Sequence, residues 1–346
     1  MEMIPLQPKL ASSMRTMPMA ASLPLRIERE IRFPFQCYWT RHRNNLQRIT
    51  SPLYAIDDNK KQKALFVMGT TATGKSKLSI DLATHFQGEI INSDKIQICK
   101  GLDMLTNKTS EKERRGVPHH LLGFVEPGEE FTTQDFCNHA HKAMKHITGD
   151  GNIPIIAGGS NRYIEALVED PHFNFKDTYD TCFLWVDVAL PVLFDRAATR
   201  VDEMLDAGLV DEVRGMFIPG IDHNCGIWRA IGIAEMEPYL QAEMEMADEA
   251  TMKILLDTGI REMKENTKKL IDKQLTKIKY LANKKGWKFH RIDATCAYER
   301  SAKVDEDVWD KKVLRPSLEM VTNFLREDEK AEEMADSFLV TRRYSN

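Results

Sequence analysis

Eight residues from Gly69 to Ser76 carry the clearest chemistry in this chain of 346 residues. They spell G-x-x-x-x-G-K-S and stand between an apolar run, Ala64–Met68, and a helix-like segment, Lys77–Phe86. Such a loop points backbone N–H groups and a helix start at one anion, while its lysine adds a charge and its serine a magnesium ligand. We therefore predict that phosphate is bound by Gly69, Thr70, Thr71, Ala72, Thr73, Gly74, Lys75 and Ser76, with Ser76 on Mg²⁺.

The same loop serves kinases, ATPases and GTPases, so it predicts the phosphates of a ligand and leaves the reaction open. Asp94 ends the next apolar run, Gly88–Asp94. A carboxylate at a strand end beside a phosphate loop can take a proton from a nucleophile or hold a metal ion. Capping of the segment that follows is an alternative for Asp94, and Asp187, at the end of a later run, competes for the metal.

Three further positions could contact a ligand. Ser160 follows Gly158-Gly159, which gives a backbone corner and a hydroxyl, although an ordinary turn explains it as well. Arg229 is an isolated cation in an apolar context and could clamp phosphate, or form a salt bridge. Arg196 and Arg200 share a helix face; they could form a lid over phosphates, but we favour an exposed ion-pair face for them.

The composition excludes several classes of protein. With 42% hydrophobic and 29% charged residues it is that of an ordinary globular protein, and a net charge of -4 gives no general basic field for nucleic acid. The six cysteines are widely spaced, which predicts neither a disulfide framework nor a zinc site. No apolar run approaches the roughly 18 residues of a membrane span.

Short apolar runs alternate with helical segments along the chain, including Asn152–Ala157 and Cys182–Val188. This alternation predicts an α/β fold, a P-loop NTPase-like parallel sheet flanked by helices, with a small helical insert domain. In such sheets ligands bind beyond the carboxyl ends of the strands, where Gly69, Asp94 and Ser160 all fall. The fold and the candidate chemistry therefore agree.

We divide the chain into five parts by composition and periodicity. The first fifty residues hold eight Lys or Arg against three acids, which is typical of an organellar transit peptide, with a merely disordered tail as the alternative. The predicted parts are a leader at 1–60, the core with the phosphate loop at 61–190, a helical insert or lid at 191–250, a long helix and final strand completing the core at 251–325, and an acidic tail at 326–346.

Five motifs occur in the order found in isopentenyltransferases that act on adenine. They are the phosphate loop, Ile91–Gln97, Val117–Leu122, Ile156–Asn161 and Arg229–Gly232. The chain resembles the plant adenylate isopentenyltransferases of this family from about Lys63 to Thr295, nearly the whole folded part.

The resemblance implies transfer of the dimethylallyl group of dimethylallyl diphosphate to N6 of the adenine of a free adenine nucleotide, ADP or ATP and also AMP, as the first step of cytokinin synthesis. The loop would bind the donor's diphosphate, and Lys75, Arg229 and Mg²⁺ on Ser76 would stabilise charge on the leaving group. Asp94 matches the family's general base, and Ser160 would hold the same amine. The remaining candidates are Arg200 and Lys273.

The tRNA-modifying branch of the family is the main alternative. Its eukaryotic members carry a Cys/His zinc module near the C-terminus, whereas no Cys or His follows Cys296 here. Its members also show a Thr followed by an Arg-Gln pair, and this chain has Thr267 and then Lys273-Gln274. We therefore expect a free nucleotide acceptor, with no nucleic-acid or membrane partner. A small-molecule kinase or NTPase is a more distant alternative. The composition of the leader does not separate plastid from mitochondrion, but the family resemblance favours the plastid.

Overall fold

One parallel sheet of six strands organises residues 60–299 and 303–327, which the computed structural model of the chain describes. The strands lie in the order β3-β2-β4-β1-β5-β6, and every pairing is parallel, as predicted. Their bounds are β1 Gln62–Met68, β2 Gly88–Asn92, β3 His119–His120, β4 Ile153–Ala157, β5 Tyr179–Asp187 and β6 Phe289–Asp293. Residues 1–59 of the predicted leader and 328–346 of the predicted tail lie outside the described residues.

Strand β1 is central and is buried on both faces, as expected of a strand in a parallel sheet. Its side chains alternate between two apolar cores. Leu65 and Val67 join the core that includes the first helix, and Phe66 and Met68 join the core on the opposite face. The continuous apolar run of β1 therefore fixes the strand between two layers of helices.

Helices link the strands and cover both faces of the sheet. Three of them bear on the site: the phosphate-loop helix Lys75–Phe86, the insert helix Leu190–Asp206 and the long helix Glu249–Lys285. The others are Glu111–Arg114, Thr133–Gly149, Asn161–Glu169, Phe175–Thr178, Leu209–Met216, Ile233–Met244, Glu306–Trp309 and Arg315–Leu325. Across the described ranges, no helix is both long and apolar enough to span a bilayer.

The parallel arrangement gathers the candidate residues at one edge of the sheet. The phosphate loop follows β1, Asp94 comes two residues after β2, and the corner Gly158–Ser160 follows β4. Since β2, β4 and β1 occupy three consecutive positions of the sheet, their carboxyl ends lie side by side. This edge of the sheet therefore has the geometry that the predicted ligand site requires.

The range predicted for the helical insert, 191–250, is largely helical and buries a third apolar cluster. Val201 of the insert helix packs there with Met236 and Leu240, and Met263 of the long helix closes the cluster. The insert thus rests on the long helix through shared apolar contacts. Its boundaries as a domain stay a prediction.

The C-terminal helices Glu306–Trp309 and Arg315–Leu325 extend what we predicted for 251–325, which was only the long helix and the last strand. These segments are short, so the sequence offers few apolar positions from which a helical period could be recognised. Trp309 is 1% exposed, and its Nε1–H donates to Asp81 of the phosphate-loop helix at 3.3 Å. This segment therefore builds the wall behind the phosphate loop.

Replacing Trp309 by alanine should remove about 3–5 kcal/mol of folding free energy, because a large, fully buried aromatic side chain is lost and leaves a cavity. Urea unfolding followed by circular dichroism measures the change. Met246→Ala is the control: this side chain is 92% exposed, and we expect a change within about 0.5 kcal/mol. Equal losses in the two variants would show that the C-terminal wall is not part of the cooperative core.

Candidate active site

The phosphate loop is held in a tight conformation by contacts within it and behind it. Thr73 Oγ1 donates to the Thr70 carbonyl at 2.9 Å, and Lys75 Nζ donates to the same carbonyl at 2.6 Å. Gly74 has φ +90°, and a Cβ built on it would lie 2.6 Å from both Trp309 Cη2 and the Tyr298 hydroxyl. Only glycine fits this position, for both its conformation and its lack of space.

Arg200 reaches the phosphate loop from the insert helix. Its Nη2 donates to Thr71 Oγ1 at 2.8 Å, and its buried Nε has no hydrogen-bond partner within the described residues. Arg196, one turn earlier, faces the Tyr298 ring at 5.6 Å and lies 3.5 Å from Glu203 Oε2. The exposed ion-pair face that we favoured is therefore wrong for Arg200, because the insert helix turns this face inward.

Burial lowers the pKa values of both cations at the phosphate loop, Lys75 in the loop and Arg200 on the insert helix. It lowers the pKa of Lys75 to about 8, with Asp94 opposing the change and Arg200 adding to it. Burial likewise lowers the pKa of Arg200 to about 10, and the like charge of Arg196 contributes. An anion placed against these groups would stabilise their charged forms and raise both pKa values. The electrostatics thus favour a negatively charged ligand at the loop.

Asp94 uses its two carboxylate oxygens differently. Oδ1 accepts from the backbone N–H of Ile96 at 3.0 Å and of Gln97 at 3.4 Å, which is the capping role considered above. In the described part of the chain Oδ2 has no hydrogen-bond partner, and it lies 3.1 Å from where a Cβ on Gly159 would stand. One oxygen fixes the side chain, and the other is left to accept a proton.

The corner after β4 lies directly against Asp94. A Cβ on Gly158 would stand 2.4 Å from the Ser93 carbonyl carbon, so only glycine lets the two strand ends touch. Ser160 Oγ accepts from the Lys95 N–H at 2.8 Å, and Ser160 N–H donates to the Ser93 carbonyl at 3.1 Å. The hydroxyl keeps its proton and a second lone pair for a ligand.

Gln274 is a residue of this site that we did not predict. Its side-chain Oε1 accepts from the Thr71 N–H at 2.7 Å, and Nε2 donates to the Gly159 carbonyl at 3.1 Å. The neighbouring candidate Lys273 is exposed. A signal did exist in the sequence, since Gln274 is a polar residue between Ile271 and Ile278 on the buried face of the long helix.

Two other candidates have partners of their own. Arg229 ends the 3-10 turn Gly226–Arg229, where Nη2 donates to Glu130 Oε1 at 3.1 Å and Nε to the Asn224 carbonyl. Among the described residues no hydrogen bond joins Arg229 to the phosphate loop, so its role on phosphate stays a prediction. Asp187 accepts from Arg291 Nε at 2.7 Å, which weakens the case for it as a metal ligand.

Ser76 is exposed at the start of the phosphate-loop helix and lines a cleft of about 600 Å³. Both signs of charge line this cleft: Lys77, Lys108, Arg115 and Arg200, with Asp103, Glu113, Glu203 and Glu306. Residues 60–299 and 303–327 contain no group of three or more His, Cys, Asp or Glu placed to hold a metal ion.

The lowered pKa of Lys75, about 8, predicts unusual reactivity. Its neutral amine should appear at lower pH than that of ordinary lysines, whose pKa is about 10.4. Labelling with an amine-reactive reagent at a series of pH values, read by peptide mass spectrometry, should therefore give a midpoint near 8. Exposed Lys279 is the internal reference. Inorganic diphosphate should raise the midpoint; labelling of Lys75 in step with Lys279 would contradict the prediction.

Comparisons with known proteins identify the family of this chain. The family model described as IPP transferase matches residues 97–178 and 169–280. The chain is 50% identical to adenylate isopentenyltransferase 5, chloroplastic, of Arabidopsis thaliana, over 77% of this chain and 81% of that protein. It is 47% identical to adenylate isopentenyltransferase 7, mitochondrial, of the same plant, over 76% and 80%.

The solved structure of a tRNA isopentenylpyrophosphate transferase from Bacillus halodurans is similar in fold. Its TM-score is 0.63 at 26% identity, and the match covers 79% of this chain and 100% of that one. The family resemblance and the predicted fold are thus confirmed. The chain belongs to the IPP transferase family, in the group of the plant adenylate isopentenyltransferases.

Proposed function

We propose that this chain transfers the dimethylallyl group of dimethylallyl diphosphate to N6 of the adenine of a free adenine nucleotide, the first step of cytokinin synthesis. One observation carries the proposal. A phosphate loop and the uncommitted oxygen of Asp94 lie at the same sheet edge, joined through Gln274 and Gly159. An anionic donor and a proton-losing amine can therefore be bound side by side.

The donor's diphosphate would bind the N–H groups of the phosphate loop and the start of the phosphate-loop helix. Lys75 and Arg200, whose charges are costly to bury without an anion, would lie against it. As the bond between the allylic carbon and oxygen breaks, negative charge gathers on the diphosphate, and these fixed cations stabilise it. Arg229, which is paired with Glu130, stays a further candidate for this role.

The acceptor's N6 amine would face Asp94 and Ser160. Its nitrogen forms the new bond to the allylic carbon, its proton passes to Asp94 Oδ2, and diphosphate leaves with the electrons of the broken bond. Ser160, fixed by the Lys95 N–H, can accept a hydrogen bond from the same amine. The rigid corner thus holds the nucleophile in line with the leaving group.

The residues at the loop fit a magnesium ion. Mg²⁺ usually keeps several waters and binds one or two protein oxygens together with substrate phosphates. The exposed hydroxyl of Ser76 is such an oxygen, and it opens onto the cleft of about 600 Å³. When bound there, Mg²⁺ would neutralise part of the diphosphate charge.

A free nucleotide is the acceptor that the observations favour over tRNA. The relatives of 50% and 47% identity are named adenylate isopentenyltransferases, and the net charge of -4 offers no general field for RNA. For the location we propose the plastid, because the basic composition of the first fifty residues is typical of an organellar transit peptide and the first of these relatives is named chloroplastic. Imaging of a fluorescent protein fused to residues 1–60 tests the location.

The proposed function is tested by incubating the protein with dimethylallyl diphosphate, Mg²⁺ and, separately, AMP, ADP, ATP and unmodified tRNA, then weighing the products by mass spectrometry. We expect a prenyl mass gain on a free nucleotide. Gain on tRNA alone would move the chain to the tRNA-modifying branch. ATP hydrolysis without prenyl transfer would show that the loop serves a kinase or NTPase reaction.

Asp94→Asn should reduce turnover by about a hundredfold to ten-thousandfold, the usual contribution of a general base. Binding of dimethylallyl diphosphate, measured by calorimetry, should be retained because the loop is unchanged. Asp195→Asn, an exposed position on the insert helix, is the matched control and should keep full turnover. Near-normal turnover in Asp94→Asn would overturn the assignment of the base.

A further inference from the structure

We propose that Gln274 is a positioning residue that couples the donor half of the site to the acceptor half, an inference that rests on the function proposed above. Its single side-chain amide joins the Thr71 N–H of the phosphate loop, at 2.7 Å, to the Gly159 carbonyl, at 3.1 Å. Gly159 belongs to the corner Gly158–Ser160, where the acceptor amine would bind and which we call the acceptor corner. Gln274 thus links two loops that follow different strands, β1 and β4.

The amide is fixed in place. Gln274 is 9% exposed, and its backbone carbonyl accepts from Asn161 Nδ2 at 3.2 Å, which ties the long helix to the helix after the corner. Turning the amide over would place Nε2 against the Thr71 N–H and Oε1 against the Gly159 carbonyl, so neither backbone group would keep its hydrogen bond. The side chain therefore has one orientation in which both halves are satisfied.

The link ends beside the proposed base. The point where a Cβ on Gly159 would stand is 2.5 Å from Gln274 Nε2 and 3.1 Å from Asp94 Oδ2, so these two atoms are within about 6 Å of each other. The Thr71 end of the link is shared with Arg200, which donates to Thr71 Oγ1 at 2.8 Å. If the phosphate loop shifts when diphosphate binds, the planar side-chain amide of Gln274 would transmit the shift to the acceptor corner.

The chemistry of the side chain defines what it can contribute. An amide carries no charge and exchanges no proton near neutral pH, and both of its contacts are to backbone groups of the protein. It therefore acts on the distance and angle between the amine and the allylic carbon, through Thr71 and Gly159. A misplacement of about 1 Å can cost about a hundredfold in rate.

The test compares Gln274→Met with Gln241→Met, the same replacement at an exposed position of Ile233–Met244. In Gln274→Met we expect kcat for prenyl transfer to fall by about tenfold to a hundredfold, with the KM of each substrate rising by no more than the lost coupling between the substrates, about fivefold. Gln241→Met should match the unmodified protein. An unchanged kcat, or a raised KM with unchanged kcat, would overturn the proposal.

Binding provides a readout that does not need turnover. By calorimetry, inorganic diphosphate should tighten the binding of AMP by about fivefold or more in the unmodified protein, and AMP should tighten diphosphate equally. In Gln274→Met each ligand should bind alone as before, but this coupling should vanish. Coupling that persists in the variant, or is absent from the unmodified protein, would overturn the inference.

Two further results separate the possible explanations. Gln274→Glu keeps an oxygen for the Thr71 N–H but loses the N–H donor to the Gly159 carbonyl. Its kcat should therefore fall, and the coupling between the two ligands should vanish as well. This variant replaces Gln274→Met in the test if the Met variant does not fold. Failure of the unmodified protein to prenylate any nucleotide would refute the proposed function. The coupling measurement would still decide the role of Gln274.

Discussion

The site depends on the phosphate loop being kept in one shape, because backbone N–H groups can bind a common anion only if the loop cannot rearrange. Four parts of the chain enforce this shape. Trp309 and Tyr298 leave no space beyond Gly74, Arg200 bonds to Thr71 from the insert helix, and the long helix contributes Gln274. The loop is thus supported by elements that lie far from it in sequence.

The same arrangement buries positive charge that is only partly compensated by nearby carboxylates. Lys75 and Arg200 both have a lowered pKa, and burial is the main cause for each. Asp94 offsets part of this charge while its Oδ1 caps the turn that follows, so one carboxylate both stabilises the local fold and lowers the cost of the buried Lys75 charge. The capping and catalytic interpretations of Asp94, which are alternatives in the sequence, are compatible in the structure.

Much of this could be predicted from the sequence where the signal is local. The apolar runs indicated the main strands, and the long helix ends at Gly286, whose φ of +68° is the usual conformation of a glycine that follows a helix. Two failures share one physical cause: the roles of Arg200 and Gln274 depend on which distant element packs against them, and periodicity does not reveal that. The C-terminal helices were missed because short segments carry too few periodic positions.

The buried cations have a consequence for the end of the reaction. Lys75 and Arg200 would lie against the diphosphate whether it is still attached to the prenyl group or already released, so the product keeps most of the contacts that held the donor. A site arranged this way retains its product after the chemistry is finished. Diphosphate that accumulates in solution would then compete with the donor for the same contacts, so the product would inhibit the reaction.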